Sequence, residues 1–114
     1  MKISRRSFLK AATAIGASLA WVGPARGSRV NWHERRDLYP QGVASGDPDP
    51  HSVILWTRRP FAQGDQATRQ LLTVEVAEDE AFRRVIAHAQ APVSSATDWT
   101  ARVLIGGLKP ARTY

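Results

Sequence analysis

The chain of 114 residues contains no cysteine. That excludes a disulfide framework, a thiolate metal site and a cysteine nucleophile, and lets the chain fold without an oxidant. No long hydrophobic run is present either. The main one, Ala11 to Val22, falls short of the roughly 20 apolar residues that span a bilayer core. Acidic residues are missing from one end. Positions 1–27 hold Lys2, Arg5, Arg6, Lys10 and Arg26 and no Asp or Glu. The formal charge of +6 comes from 16 basic and 10 acidic residues, so from Ser28 onward eleven basic side chains face ten acidic ones. That remainder has no basic stripe and no aromatic–basic interleaving, which removes a nucleic-acid groove from consideration. The length suits one domain of about 100 residues.

What the first 27 residues do contain is ordered by type. A positive segment is followed by the apolar run, then Pro24, then small residues at Ala25 and Gly27. This is the arrangement of an export signal. Ser4-Arg5-Arg6-Ser7-Phe8-Leu9-Lys10 resembles the twin-arginine consensus at each informative position, with Ser4, Arg5, Arg6, Phe8, Leu9 and Lys10 carrying the match. The expectation is a signal peptide over 1–27, cut after Gly27 or after Ala25. Its partners are the Tat (twin-arginine) translocase and a signal peptidase. The destination is the periplasm, the medium or the cell surface, with no stable membrane span.

Residues 28–38 are polar and irregular and read as a linker. Gly42 to Gly46 reads as a short extended piece, and the Asp/Pro-rich stretch to Pro50 as a turn. Ser52-Val53-Ile54-Leu55-Trp56-Thr57 is β-branched and aromatic, hence a strand, and its four consecutive apolar residues predict cover on both faces. Arg59 to Arg69 reads as a loop. Leu72, Val74 and Val76 alternate with Thr73 and Glu75, a half-buried strand. Asp79 could cap one helical turn. For 84–91 two periods compete: Phe82, Val85, Ile86 and Ala89 fit a helix, and Val85, Ala87 and Ala89 fit a strand. Strand is preferred because the neighbours are β, and Pro92 should end either. Ala101, Val103 and Ile105 share one face of a further strand, broken by Gly106-Gly107.

Short strands between turn signals predict an all-β, antiparallel sandwich with Trp56 in its core. Leu108-x-Pro110-x-x-x-Tyr114 resembles the tyrosine corner at the E–F crossover of fibronectin type III and Ig-like domains. On that reading 39–114 is a sandwich domain, incomplete, truncated at the E–F crossover.

Few side chains invite chemistry. Asp47, Asp49 and His51 could be drawn as a metal site, but prolines at 48 and 50 suit a turn whose aspartates cap backbone amides. Ser45 between glycines lacks both the Lys-Ser/Thr of a phosphate-binding loop and the strand–elbow–helix of a hydrolase nucleophile. His33 and His88 are isolated. Trp99 reads as rim or core, and Arg58, Arg59, Arg83 and Arg84 as solvated, with salt-bridging to another domain or steering of an anionic ligand as the rival role. No catalytic residue and no metal ligand is therefore assigned.

Gly42-Val43-Ala44-Ser45-Gly46-Asp47-Pro48, followed by Val53-Ile54-Leu55-Trp56-Thr57-Arg58, is similar to the opening of PhoD-like alkaline phosphatases. Val74 to Arg84 and Gly107 to Tyr114 match that domain in order. The resemblance implies the N-terminal domain of an exported phosphatase or phosphodiesterase, with a separate metallophosphatase domain as its partner in the same protein. Calcium and iron are the cofactors implied for that domain, and none for these residues. The rival reading is an exported fibronectin-like binding or adhesion module.

Overall fold

In a computed structural model of the chain, residues 17–61 and 70–114 are described, 47–49 by their backbone alone. Six strands form two sheets: β1 (Ser18–Trp21), β2 (Val43–Asp49), β3 (Ser52–Arg58), β4 (Gln70–Ala77), β5 (Val85–Val93) and β6 (Thr100–Gly106). One sheet has the order β1-β6-β3-β2, and the other is the β4-β5 pair. The arrangement is an all-β sandwich of the Ig/fibronectin type III kind.

Alternation builds the core. Along β5, Val85, Ala87, Ala89, Ala91 and Val93 are buried while His88, Gln90 and Pro92 are exposed. Opposite them stand Ala101, Val103 and Ile105 of β6, with Ile105 fully enclosed. Leu72 on β4 completes the buried set, and Val53 and Leu55 of β3 pack against it. The pleat sends the other side of β3 outward. There Ile54 joins Leu104, Leu19 and Trp21 in a small second cluster. Both faces of β3 thus meet apolar neighbours, as its unbroken apolar run foretells.

Trp56 is not in the core. It alternates with Leu55, falls on the same side as Ile54, and is half-buried. The reason is parity: with Val53 and Leu55 turned inward, an even-numbered neighbour must face out.

Three local expectations also change. Strand β2 runs on to Asp49, with a register shift between Gly46 and Asp49, so the turn shrinks to Pro50 and His51. An edge strand with an irregularity at that point tolerates Pro48, which has no N–H to donate. Pro92 does not end β5 but lies inside it, opposite Leu71. Within the two-stranded sheet β5 has one unpaired side, where a missing N–H costs nothing. The acidic stretch after β4 forms no helix. Asp79 instead receives the backbone N–H of Arg83 (3.0 Å) and of Arg84 (2.9 Å) in a turn where Phe82 has φ 55°.

The end of the apolar run assigned to the signal is β1. It lies parallel to β6, in register from Ser18↔Val103 to Trp21↔Gly106. No helix among the described residues is long and apolar enough to cross a membrane. Most of the loop expected over Arg59 to Arg69 lies outside the described residues.

Candidate functional site

A concavity opens between the two sheets along the free side of β4. It has a volume of about 610 Å³ and is lined by Leu55, Leu72, Val74 and Val103 from the sandwich interior, with Trp32 and Tyr39 at its mouth. Its origin is topological. Sheet β4-β5 has two strands and the facing sheet four, so inward-facing apolar side chains extend beyond the cover of the smaller sheet.

One carboxylate marks the rim. Glu75 Oε1 accepts hydrogen bonds from Trp32 Nε1 (2.6 Å) and Ser28 Oγ (2.5 Å). The Trp32 ring also lies against Phe82, centroids 6.1 Å apart. These contacts fasten the 28–33 segment beside β4, and they occupy Glu75 in holding it. The pairing joins residues more than forty positions apart, and no local pattern announces it.

The other candidates are dispersed. His51 Nδ1 donates to Leu108 O (3.0 Å) while Leu108 N donates to His51 O (3.0 Å), so this histidine ties the β2–β3 turn to the segment after β6. His33 is exposed at the cleft mouth, and His88 is exposed on β5 opposite Glu75. Ser45 sits exposed on β2 opposite Leu55. Among the described residues no three of His, Asp or Glu gather where they could hold a metal ion.

The basic pairs are partly engaged, not merely solvated. Arg58 meets Asp98 through Nη2–Oδ1 (3.2 Å) and through Nε to the Asp98 carbonyl (3.0 Å). The Arg59 guanidinium lies 3.9 Å above the centre of the Phe61 ring. Phe61 in turn packs on Trp99, which is part of the core periphery. Arg84 approaches Glu78 at 3.6 Å, a mostly exposed pair that contributes little.

The tyrosine corner is formed. Tyr114 Oη accepts the backbone N–H of Lys109 at 3.0 Å, and Leu108 packs against the core. Pro110 stands in the exposed turn between them. Ala25 and Gly27, the expected cleavage positions, are exposed on a segment bonded to β5: Arg26 N donates to Val85 O (3.0 Å), Val85 N to Arg26 O (2.7 Å), and Ser28 N to Phe82 O (2.9 Å). Ser4, Arg5, Arg6, Phe8, Leu9 and Lys10 lie outside the described residues.

The described residues thus form an Ig-like sandwich with a formed tyrosine corner. Comparison with known proteins says of which kind. Residues 24–114 match the family described as "PhoD-like phosphatase, N-terminal domain". The chain belongs to that family. It is 35% identical over 120 residues to alkaline phosphatase D of Bacillus subtilis (strain 168), an alignment covering 96% of this chain and 20% of the relative. A solved structure titled "Structure of PhoD" is similar with a TM-score of 0.51 and 37% identity, over 62% of this chain and 14% of that one. The chain thus spans about a fifth of the curated relative it matches.

Proposed function

We propose that these residues are the N-terminal sandwich of an exported metallophosphatase that hydrolyses phosphate monoesters and diesters. The sandwich itself is structural and inactive, and catalysis belongs to a further domain of the same protein. The observation that carries this reading is the family match over 24–114, on a chain that spans about a fifth of the alkaline phosphatase D it resembles. Metal-activated nucleophiles and charge neutralisation at phosphoryl oxygens need a cluster of metal ligands, which on this reading lies in the partner domain. The open cleft beside β4 supports it too, since an added strand there would cover Leu72 and Val74.

Export rests on the sequence of the first 27 residues. The family match begins at residue 24, which leaves the twin-arginine string and the apolar run ahead of the matched domain. The route is the twin-arginine translocase, and the destination is the periplasm, the medium or the cell surface. Calcium and iron are the metals proposed for the catalytic domain.

The test is hydrolysis by the complete reading frame, purified from the exported fraction, of a phosphomonoester and a phosphodiester with calcium and iron supplied. Activity that follows the metals supports the reading. A reading frame that adds only further sandwich repeats, with no hydrolysis under any metal condition, would favour an exported binding module instead.

A further inference from the structure

Eleven residues at the junction of the expected signal and the domain are built into the sandwich. From Ser18 to Trp21 the chain pairs with β6, and Val22 N extends the ladder to Gly106 O at 3.0 Å. Ala20 is 1% exposed and belongs to the main core. The Trp21 ring rests on Gly107, where even a single added carbon would come within 3.3 Å of it. The chain then crosses to the other sheet. Gly23 N donates to Ile86 O (2.7 Å), and Arg26 and Val85 exchange two backbone hydrogen bonds. Pro24, which has no N–H, falls between the two paired stretches. One short segment therefore pairs with an edge of each sheet, along Val103–Gly106 of β6 and at Val85 and Ile86, the start of β5. Without it each edge would present unpaired backbone groups.

The expected cleavage bonds lie inside this segment. For a cut after Ala25 the scissile amide is the N–H of Arg26, which donates to Val85 O (3.0 Å). For a cut after Gly27 it is the N–H of Ser28, which donates to Phe82 O (2.9 Å). A peptidase that binds its substrate as an extended strand needs that backbone free, and an amide already donated to Val85 O or Phe82 O is not free.

We propose that residues 18–28 of the unprocessed protein form a β-strap along the β6 edge and the start of the β5 edge, and that processing at Ala25 or Gly27 requires this strap to peel off the folded domain. The inference rests on reading 1–27 as a signal. Folding before export then engages the backbone of the cleavage region while leaving Ala25 and Gly27 exposed, and release of the strap becomes a step between translocation and maturation. Ala20 and Trp21 leave the core in that step, and the β6 edge is uncovered.

Two measurements on the unprocessed full-length protein, retained by Arg5→Lys with Arg6→Lys, test this. The first is hydrogen exchange at single-residue resolution. The Gly23, Arg26, Ser28 and Val85 amides should exchange at least about tenfold more slowly than in an unstructured peptide. Exchange of Gly23, Arg26 and Ser28 at the free-chain rate would overturn the strap. The second is digestion by signal peptidase. The folded protein should be cut about tenfold or more slowly than the urea-unfolded one, in proportion to the rarity of the peeled state. In an Arg26→Cys/Val85→Cys variant oxidation should block cutting and reduction restore it. Equal cutting of folded and unfolded protein overturns the gating. An unfolded protein left uncut at both positions would refute the signal reading and the gating with it, while protected amides would still establish the strand.

Discussion

The hydroxyl of Tyr114 accepts the backbone N–H of Lys109 at 3.0 Å, closing a loop of six residues at the end of the described chain. This bond closes the exposed turn after β6, and Leu108, one residue before Lys109, sits against the core. Tyr114→Phe keeps the ring and removes the acceptor. In the full-length protein it should lower stability by about 1 kcal/mol, the ordinary net worth of one hydrogen bond. The urea midpoint checks this, and an unchanged midpoint would mean that the corner is decorative.

Gly107 follows β6 directly and has φ 77°, a conformation that costs a side-chain-bearing residue about 1–2 kcal/mol. It also carries the Trp21 ring on its open side. Gly107→Ala should therefore destabilise the unprocessed protein by at least that backbone cost and change the fluorescence of Trp21 as its seat is filled. A variant that unfolds at the wild-type denaturant concentration would contradict the positive φ.

Asp79 links stability to acid. The N–H groups of Arg83 and Arg84 hold its carboxyl below the usual carboxylate range. A folded pKa below the unfolded one stabilises above the unfolded value, and that stabilisation is lost as pH falls through the folded value. Asp79→Asn should therefore remove part of the stability at neutral pH and flatten the acid limb of the stability–pH curve. Parallel acid limbs for the two proteins would contradict the assignment.

Much of this architecture is legible from local pattern because its signals are local. The period-two alternation of Leu72, Val74 and Val76, and of Ala101, Val103 and Ile105, specifies strands and their inward faces together. The Leu108–Tyr114 spacing specifies a corner. For 85–93 the alanines satisfy both periods, and only pairing with β4 decides for a strand. What is not legible is long-range. Glu75 captures Ser28 and Trp32 from more than forty residues away, and β1 finds β6 across more than eighty. Ser18–Trp21, Ser-Leu-Ala-Trp, is too short to announce a strand by itself, and it is β because β6 offers an open edge. Trp56 is a failure of parity, since a tryptophan inside an apolar run suits either face of a strand covered on both. The candidate site is legible mainly as a lack. His33, His51 and His88 are isolated in the sequence, and Asp47 and Asp49 are flanked by prolines, so no spacing there announces a metal centre.

The most direct test of the central claim compares two proteins from one gene for hydrolysis of a phosphomonoester and a phosphodiester, with calcium and iron present and after their removal by chelation. One protein is residues 28–114 and the other is the complete mature reading frame. The account predicts metal-dependent hydrolysis by the complete protein and none by residues 28–114. Hydrolysis by residues 28–114 alone, or none by the complete protein under any metal condition, would contradict it.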